Sequence, residues 1–157
     1  MASIKFIEKI SNMMTLKGSS HPSQYLLRFD GGANPNPGPC AGAFVLYDNK
    51  GTVIKEGGRF IEKGTNNIGE YTGLLIGMEK CVEMNIRNVH IEGDSLLVIS
   101  QIAGKWKVKN ENLAVIHRMI LSLFHNFDNL TCKHIMRTFN GYADSLSDKT
   151  LSMKESF

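Results

Sequence analysis

From Gln24 to Ile61 hydrophobic positions fall in short runs of β-prone residues separated by turn chemistry, the texture of strands. Strands are predicted at Tyr25 to Asp30, at Ala41 to Tyr47, and at Thr52 to Glu56 continuing to Phe60 and Ile61. Asp48-Asn49-Lys50-Gly51 is turn chemistry, so the second and third pair as an antiparallel hairpin and a three-stranded meander opens the domain. The texture then changes. Glu70 to Met84 sets Tyr71, Leu74, Leu75, Met78, Cys81 and Val82 on one helical stripe. Val89 to Asp94 is a fourth strand, and strand, helix, strand order favours a right-handed parallel crossover. A helix from Ser95 to about Ala103 is interrupted at Gly104. Another runs from Asn110 to about Phe127 with Leu113, Ile116, Ile120, Leu123 and Phe127 inward. Cys132 to Met136 is a fifth strand, and Asn140 caps a last helix that carries Asp144. The expectation is an α/β domain over residues 24–151: a mixed five-stranded sheet, three antiparallel strands followed by parallel ones, with helices on both faces.

The two ends read differently. Ile4, Phe6, Ile7, Ile10, Met13 and Met14 have the spacing of a short amphipathic helix, and Gly18-Ser19-Ser20-His21-Pro22 reads as a linker. Residues 1–23 are therefore expected to form a flexible or loosely docked extension whose removal up to Ser20 leaves function unchanged. A mitochondrial transit peptide is the alternative for this stretch, but it lacks arginine and contains Glu8. Residues 152–157 are expected to fray.

Composition narrows the function classes. A chain of 157 residues, 42% hydrophobic, is one domain's worth and needs no staples. Cys40, Cys81 and Cys132 are far apart and without Cys-x-x-Cys spacing, which argues against a disulfide framework or zinc knuckle and for reduced thiols. No apolar run approaches the ~18 residues of a membrane span, and no signal peptide core opens the chain, so an intracellular protein of cytoplasm or nucleus is expected. The net charge of +3 is compatible with nucleic acid but too small to argue for it.

The candidate chemistry lies at element boundaries. Asp30 ends the first strand and is followed by Gly31-Gly32 and a turn stiffened by Pro35, Pro37 and Pro39, where backbone can approach a phosphate or metal closely. Glu70, Asp94 and Asp144 occupy similar positions, at a helix start, a strand end and a first helical turn. Any one of these acids could be a cap or a solvated side chain. Brought together in one cleft, four carboxylates repel one another without cations, and all-oxygen ligands favour magnesium or manganese over zinc.

Asp30-Gly-Gly, Asn36-Pro37-Gly38-Pro39, Thr65-Asn66-Asn67-x-x-Glu70, Gly93-Asp94-Ser95 and Asn140-x-x-x-Asp144, in this order, resemble the type 1 ribonuclease H family from Gln24 to about Leu151. The resemblance implies a ribonuclease H-like fold and an endonuclease that cuts the RNA strand of RNA/DNA hybrids; a monomer is expected separately. It makes Asp30, Glu70, Asp94 and Asp144 the catalytic acids that bind two Mg²⁺ ions, with Mn²⁺ a substitute. It also implies that Asn36, Asn66 and Asn67 contact the hybrid's minor groove and that Thr65 meets a phosphate, with Gly31, Gly32, Ser95 and Asn140 in the same substrate-binding set. Turn and cap chemistry is the competing explanation for the asparagines and Thr65. Lys105-Trp106-Lys107-Val108-Lys109 interleaves cations with an aromatic, so Trp106, Lys107 and Lys109 suit a nucleic-acid backbone, unless Trp106 simply packs on the core. The segment runs directly into the Asn110 helix, leaving no room for the extra basic helix of some bacterial relatives. Those relatives also carry a loop histidine before the last aspartate. Here His134 falls in a strand and Arg137, at that strand's end, is the expected phosphate-facing catalytic group.

Two other classes remain. A catalytically idle ribonuclease H-like module that binds nucleic acid or protein has no reason to keep four mutually repelling acids. A proofreading exonuclease on the same fold would place its acids in other local settings.

Overall fold

The computed structural model describes residues 12–157. Its strands are β1 (Met13–Lys17), β2 (Tyr25–Ala33), β3 (Gly38–Tyr47), β4 (Val53–Gly64), β5 (Asn88–Gly93) and β6 (Asn129–His134). Its helices are α1 (Asn66–Glu83), α2 (Leu96–Ile102), α3 (Glu111–Leu123) and α4 (Gly141–Met153), with 3-10 turns at Phe124–Asn126 and Arg137–Phe139. The strands form one sheet in the order β1-β6-β5-β2-β3-β4. The β2, β3, β4 meander is antiparallel, whereas β2, β5 and β6 run parallel through helical crossovers.

Helices cover both faces, as the periodicity predicts. On one face α1 buries Tyr71, Leu74, Leu75, Met78 and Cys81 against Leu27, Phe29, Phe44, Val89 and Ile91, and α3 closes this core with Leu113 and Ile120. On the other, α4 seats Ala143 and Leu146 on Ala43 and Val45. Position 73 shows how tightly α1 sits. A Cβ on Gly73 would lie 2.5 Å from the Asp30 carbonyl oxygen and 2.7 Å from that of Ala43. A glycine inside a helix costs roughly 1 kcal/mol relative to alanine, and here it lets the helix backbone rest directly on the sheet.

Two expectations about the chain ends fail. Among the described residues the sheet has six strands, not five, because Met13–Lys17 pairs antiparallel with β6 in the register Met13↔Lys133, Met14↔Cys132 and Thr15↔Thr131. Met14 and Leu16 turn inward onto the core while Thr15 and Lys17 face out. This is strand alternation, hidden in the sequence by the helix-like spacing upstream, and residues 1–11 of the expected amphipathic stretch lie outside the described residues. The carboxy-terminal tail does not fray either. Phe157 and Gly58 exchange backbone hydrogen bonds of 2.8 and 3.0 Å, and the Phe60 amide donates to Ser156 Oγ at 2.9 Å. The tail thereby satisfies part of the open edge of β4.

Removing residues 1–20 is thus expected to lower stability by about 2–3 kcal/mol, since it uncovers Met14 and Leu16 and leaves β6 as an edge. Urea unfolding of the truncated and full chains measures the difference. Equal midpoints would show that β1 contributes nothing.

Candidate functional site

The parallel pairing of β2 with β5 places Phe29 opposite Gly93, so that Asp30, inside β2, lies beside Asp94, the first residue past β5; β2 itself runs on to Ala33 in pairing with β3, beyond the expected strand end at Asp30. Glu70 arrives from α1. Thr65 caps that helix through Oγ1, which accepts from the Ile68 amide at 3.2 Å. Asn66 Oδ1 accepts from the Ala33 amide at 2.8 Å and its own amide donates to Asn36 Oδ1 at 3.1 Å, which ties the helix start to the turn after β2. At Gly31 the two backbones nearly touch: a Cβ there would stand 2.1 Å from the Gly69 carbonyl carbon and 2.3 Å from the Glu70 nitrogen. The bare backbone of Gly31 is what lets Glu70 lie beside Asp30.

Carboxylate oxygens of Asp30, Glu70 and Asp94 lie within 4.8 Å of one another. Asp144, from the first turn of α4, lines the same cleft outside that group of three. All four acids line one open cleft of about 550 Å³, with Asn66 and Arg137 on its rim. Burial drives Asp30, only 5% exposed, up to about 7, aided by the neighbouring Asp144 carboxyl and the charge of Asp94, while the Glu70 carboxyl works against the rise. Burial likewise pushes Glu70 well above its ordinary range, reinforced by Asp30, Asp94 and Asp144. Glu70 Oε2 is buried without a hydrogen-bond partner. Such an oxygen is costly unless a cation or a proton meets it.

These shifts fix a pH dependence. Between the ordinary value of 3.8 and about 7 the folded protein holds a proton on Asp30 that the unfolded chain has released. The stabilisation is complete below the lower value and is lost as pH rises through the upper one. Metal-free protein is expected to melt at lower temperature at pH 8 than at pH 5.5, and a divalent cation should narrow the gap by replacing the proton. Calorimetry at both pH values, with and without Mg²⁺, checks this. A metal-free melting temperature that rises with pH would contradict it.

The structure separates the remaining candidates. Arg137 is 80% exposed, with Nη2 4.0 Å from Asp144 Oδ1, at the cleft as expected. Gly32 and Asn66 line the cleft, and Asn67 is exposed beside it on the first turn of α1. Gly31 also borders it, but its own surroundings are dominated by packing against α1. Ser95 directs its hydroxyl to the Val98 amide at 3.2 Å, as an α2 cap. Lys107 and Lys109 are exposed and Trp106 is 48% exposed, so the tryptophan is not a core residue. None of the three lines the acid cleft. Their segment is anchored where Gln101 Nε2 donates to the Lys107 carbonyl at 3.0 Å.

Asn140 departs from expectation twice. It is 1% exposed, which removes it from direct contact with a ligand in this conformation. It occupies the α4 cap position without capping, because its Nδ2 donates to the Phe29 carbonyl at 2.9 Å. β6 ends at His134, before the expected Met136, and His134 Nε2 lies 3.2 Å from the Asp94 carbonyl oxygen. Sequence reasoning missed Ser147, Asp148 and Leu151 on the cleft wall. Their spacing from Asp144 was the available signal, since residues three, four and seven positions on share a helix face.

No described helix is long and apolar enough to cross a membrane. The site's architecture has close counterparts. The chain is 33% identical over 123 residues to "Ribonuclease HI" of Halobacterium salinarum, covering 78% of this chain and 62% of that protein. It is equally identical, 33% over 127 residues, to a bifunctional protein of Mycobacterium tuberculosis, covering 80% of this chain but 35% of the relative. The chain thus spans about a third to under two thirds of the length of these curated relatives. Among solved structures, the amino-terminal ribonuclease H domain of the Mycobacterium tuberculosis protein, fused to maltose-binding protein, superposes with a TM-score of 0.80 at 30% identity, covering 83% of this chain and 95% of that one. LC11 ribonuclease H1, solved in complex with an RNA/DNA hybrid, gives 0.79 at 29% identity over 83% and 99% of the two chains. The profile of the "Reverse transcriptase-like" family matches residues 28–150, a span that runs from just before Asp30 to just past Asp144. With the sheet order, the acid cleft and this match in agreement, the chain belongs to that family and has the ribonuclease H-like fold.

Proposed function

We propose that the chain is an endonuclease that hydrolyses the RNA strand of RNA/DNA hybrids with two divalent cations, magnesium or manganese, held by Asp30, Glu70, Asp94 and Asp144. The observation that carries this is the convergence of three carboxylates within 4.8 Å. Glu70 Oε2, buried and partnerless, fits the same reading, because a buried anionic oxygen of this kind suits a hard cation. When bound, such a pair supplies an acidified water and positive charge at the leaving oxygen of a phosphodiester.

The chain's own residues do the rest. Asp30 projects from within β2, Asp94 from the end of the adjacent β5 and Glu70 from a helix seated on the sheet, so a rigid sheet sets their spacing. Asn66 stands at the cleft rim and Asn67 beside it, where they can meet ribose hydroxyls in a shallow minor groove, the feature that separates RNA from DNA. Trp106, Lys107 and Lys109 lie outside the cleft and suit the flanking backbone.

Arg137 is an exposed cation beside Asp144, suited to a phosphate oxygen, whereas His134 is half-buried and sits against the Asp94 main chain. Arg137→Ala is accordingly expected to lower kcat by about 10- to 100-fold, and His134→Ala by less than about threefold, at saturating Mg²⁺. Steady-state cleavage of a labelled hybrid reads both; the reverse ranking would mean that the imidazole reaches the site.

The substrate assignment is tested by offering the same sequence as RNA/DNA hybrid and as double-stranded DNA. Cleavage confined to the RNA of the hybrid supports it, and comparable rates on both refute it. An idle binding module is disfavoured by the buried acids, whose repulsion gains it nothing.

A further inference from the structure

Asn140 is 1% exposed and lies among backbone that leads to three groups of the cleft. Its Nδ2 donates to the Phe29 carbonyl at 2.9 Å, across 111 residues of sequence, and Phe29 is the residue before Asp30. Its own carbonyl accepts from the Asp144 amide at 3.0 Å, the first hydrogen bond of the helix that carries that acid. Its amide donates to the Arg137 carbonyl at 3.0 Å, closing the 3-10 turn that presents the guanidinium. One side chain and its backbone therefore join β2, at the residue before Asp30, to the start of α4 and to the turn before it. Oδ1 is buried with no partner. A leucine or valine would leave no such orphan, so packing alone gives no reason for an amide here, whereas an Nδ2 donor aimed at the Phe29 carbonyl does.

We infer that Asn140 is a positioning residue that holds Asp144 at a fixed separation from Asp30, so that the two carboxylates meet one divalent cation together. The kinetic part of this inference rests on the ribonuclease reading; the metal-binding part does not. Asn140 reaches neither substrate nor cation. It acts through β2 at Phe29 and through the helix start, and its loss leaves each acid present but independently placed.

The test uses Mn²⁺ alone, without nucleic acid, titrated into the wild-type chain, Asn140→Ser and Asn140→Ala and followed by electron paramagnetic resonance. Affinity is expected to fall about 10- to 100-fold in both variants, the range seen when a group that orients a metal ligand is removed. On a hybrid substrate kcat should fall with KM within about twofold of wild type, since a buried residue adds nothing to substrate binding. Unchanged Mn²⁺ affinity in folded variants overturns the inference. So does a raised KM with intact affinity, the mark of a substrate contact. Should the variants fail to fold, the wild-type chain still decides by NMR: the Asn140 side-chain amide signals should shift on adding Mg²⁺ and stay put on adding hybrid in EDTA, and the opposite pattern overturns the proposal. If the wild-type chain binds Mn²⁺ and the variants bind it weakly, yet no hybrid is cut, the ribonuclease reading fails and the role of Asn140 stands.

Discussion

Asp30→Asn is expected to abolish hybrid cleavage, by on the order of 10³-fold or more, equivalent to about 4 kcal/mol of barrier, while leaving the metal-free fold as stable as before or more so. Asp30 is 5% exposed and its carboxyl is held up to about 7 by burial and by neighbouring acids. An amide of the same shape removes one negative charge from a cluster that repels itself, so the folded state gains where catalysis loses. This opposite movement of stability and activity is what separates a ligating acid from a structural one. Hybrid cleavage and thermal unfolding, measured together on wild type and variant, read both. Activity near wild type in Asp30→Asn, or in the matching Asp94→Asn, would remove the acids from the mechanism.

The second large effect is expected at a residue without a side chain. In Gly31→Ala the new methyl would fall 2.1 Å from the Gly69 carbonyl carbon and 2.3 Å from the Glu70 nitrogen, so α1 must lift from β2. Overpacking against backbone has no flexible side chain to give way, and a destabilisation of about 3 kcal/mol is expected. Glu70 moves with the helix, and a shift of about 1 Å there is enough to cost on the order of 10²-fold in rate. Gly32→Ala is the matched control. Its Cβ would meet nothing nearer than Asn66 Oδ1 at 3.7 Å, so stability should hold or rise slightly. Urea unfolding of the two variants tells them apart; equal midpoints would show that the helix does not rest on Gly31.

The central sheet and its acids were legible because their signals are local. Tyr25 to Phe29 is a β-prone run that leads into an acid before two glycines, and the Asp48 to Gly51 turn fixes the hairpin that follows. Helix α1 begins four residues earlier than its apolar stripe suggests, at Asn66, because its first turn is set by the Thr65 cap and not by burial. What the sequence hid was long-range. Met14 and Leu16 are too short a run to outweigh the helical spacing before them, and only the free edge of β6 makes them a strand. The tail at Phe157 docks because β4 has an open edge, which no local pattern reveals. Asn140 reads as a cap by residue type, yet its amide goes to a carbonyl 111 positions away, and that partner exists only in the folded chain. Asp148 was legible in principle, one helical turn past Asp144.

The account turns on metal-dependent cleavage of one strand by the four acids. A hybrid whose RNA and DNA strands carry different labels, incubated with the purified wild-type chain in EDTA and then in excess Mg²⁺, tests it most directly. The predicted result is no cleavage in EDTA and, once Mg²⁺ is restored, internal cuts in the RNA strand alone. Cleavage that persists in EDTA, or cuts in the DNA strand at a similar rate, would contradict it.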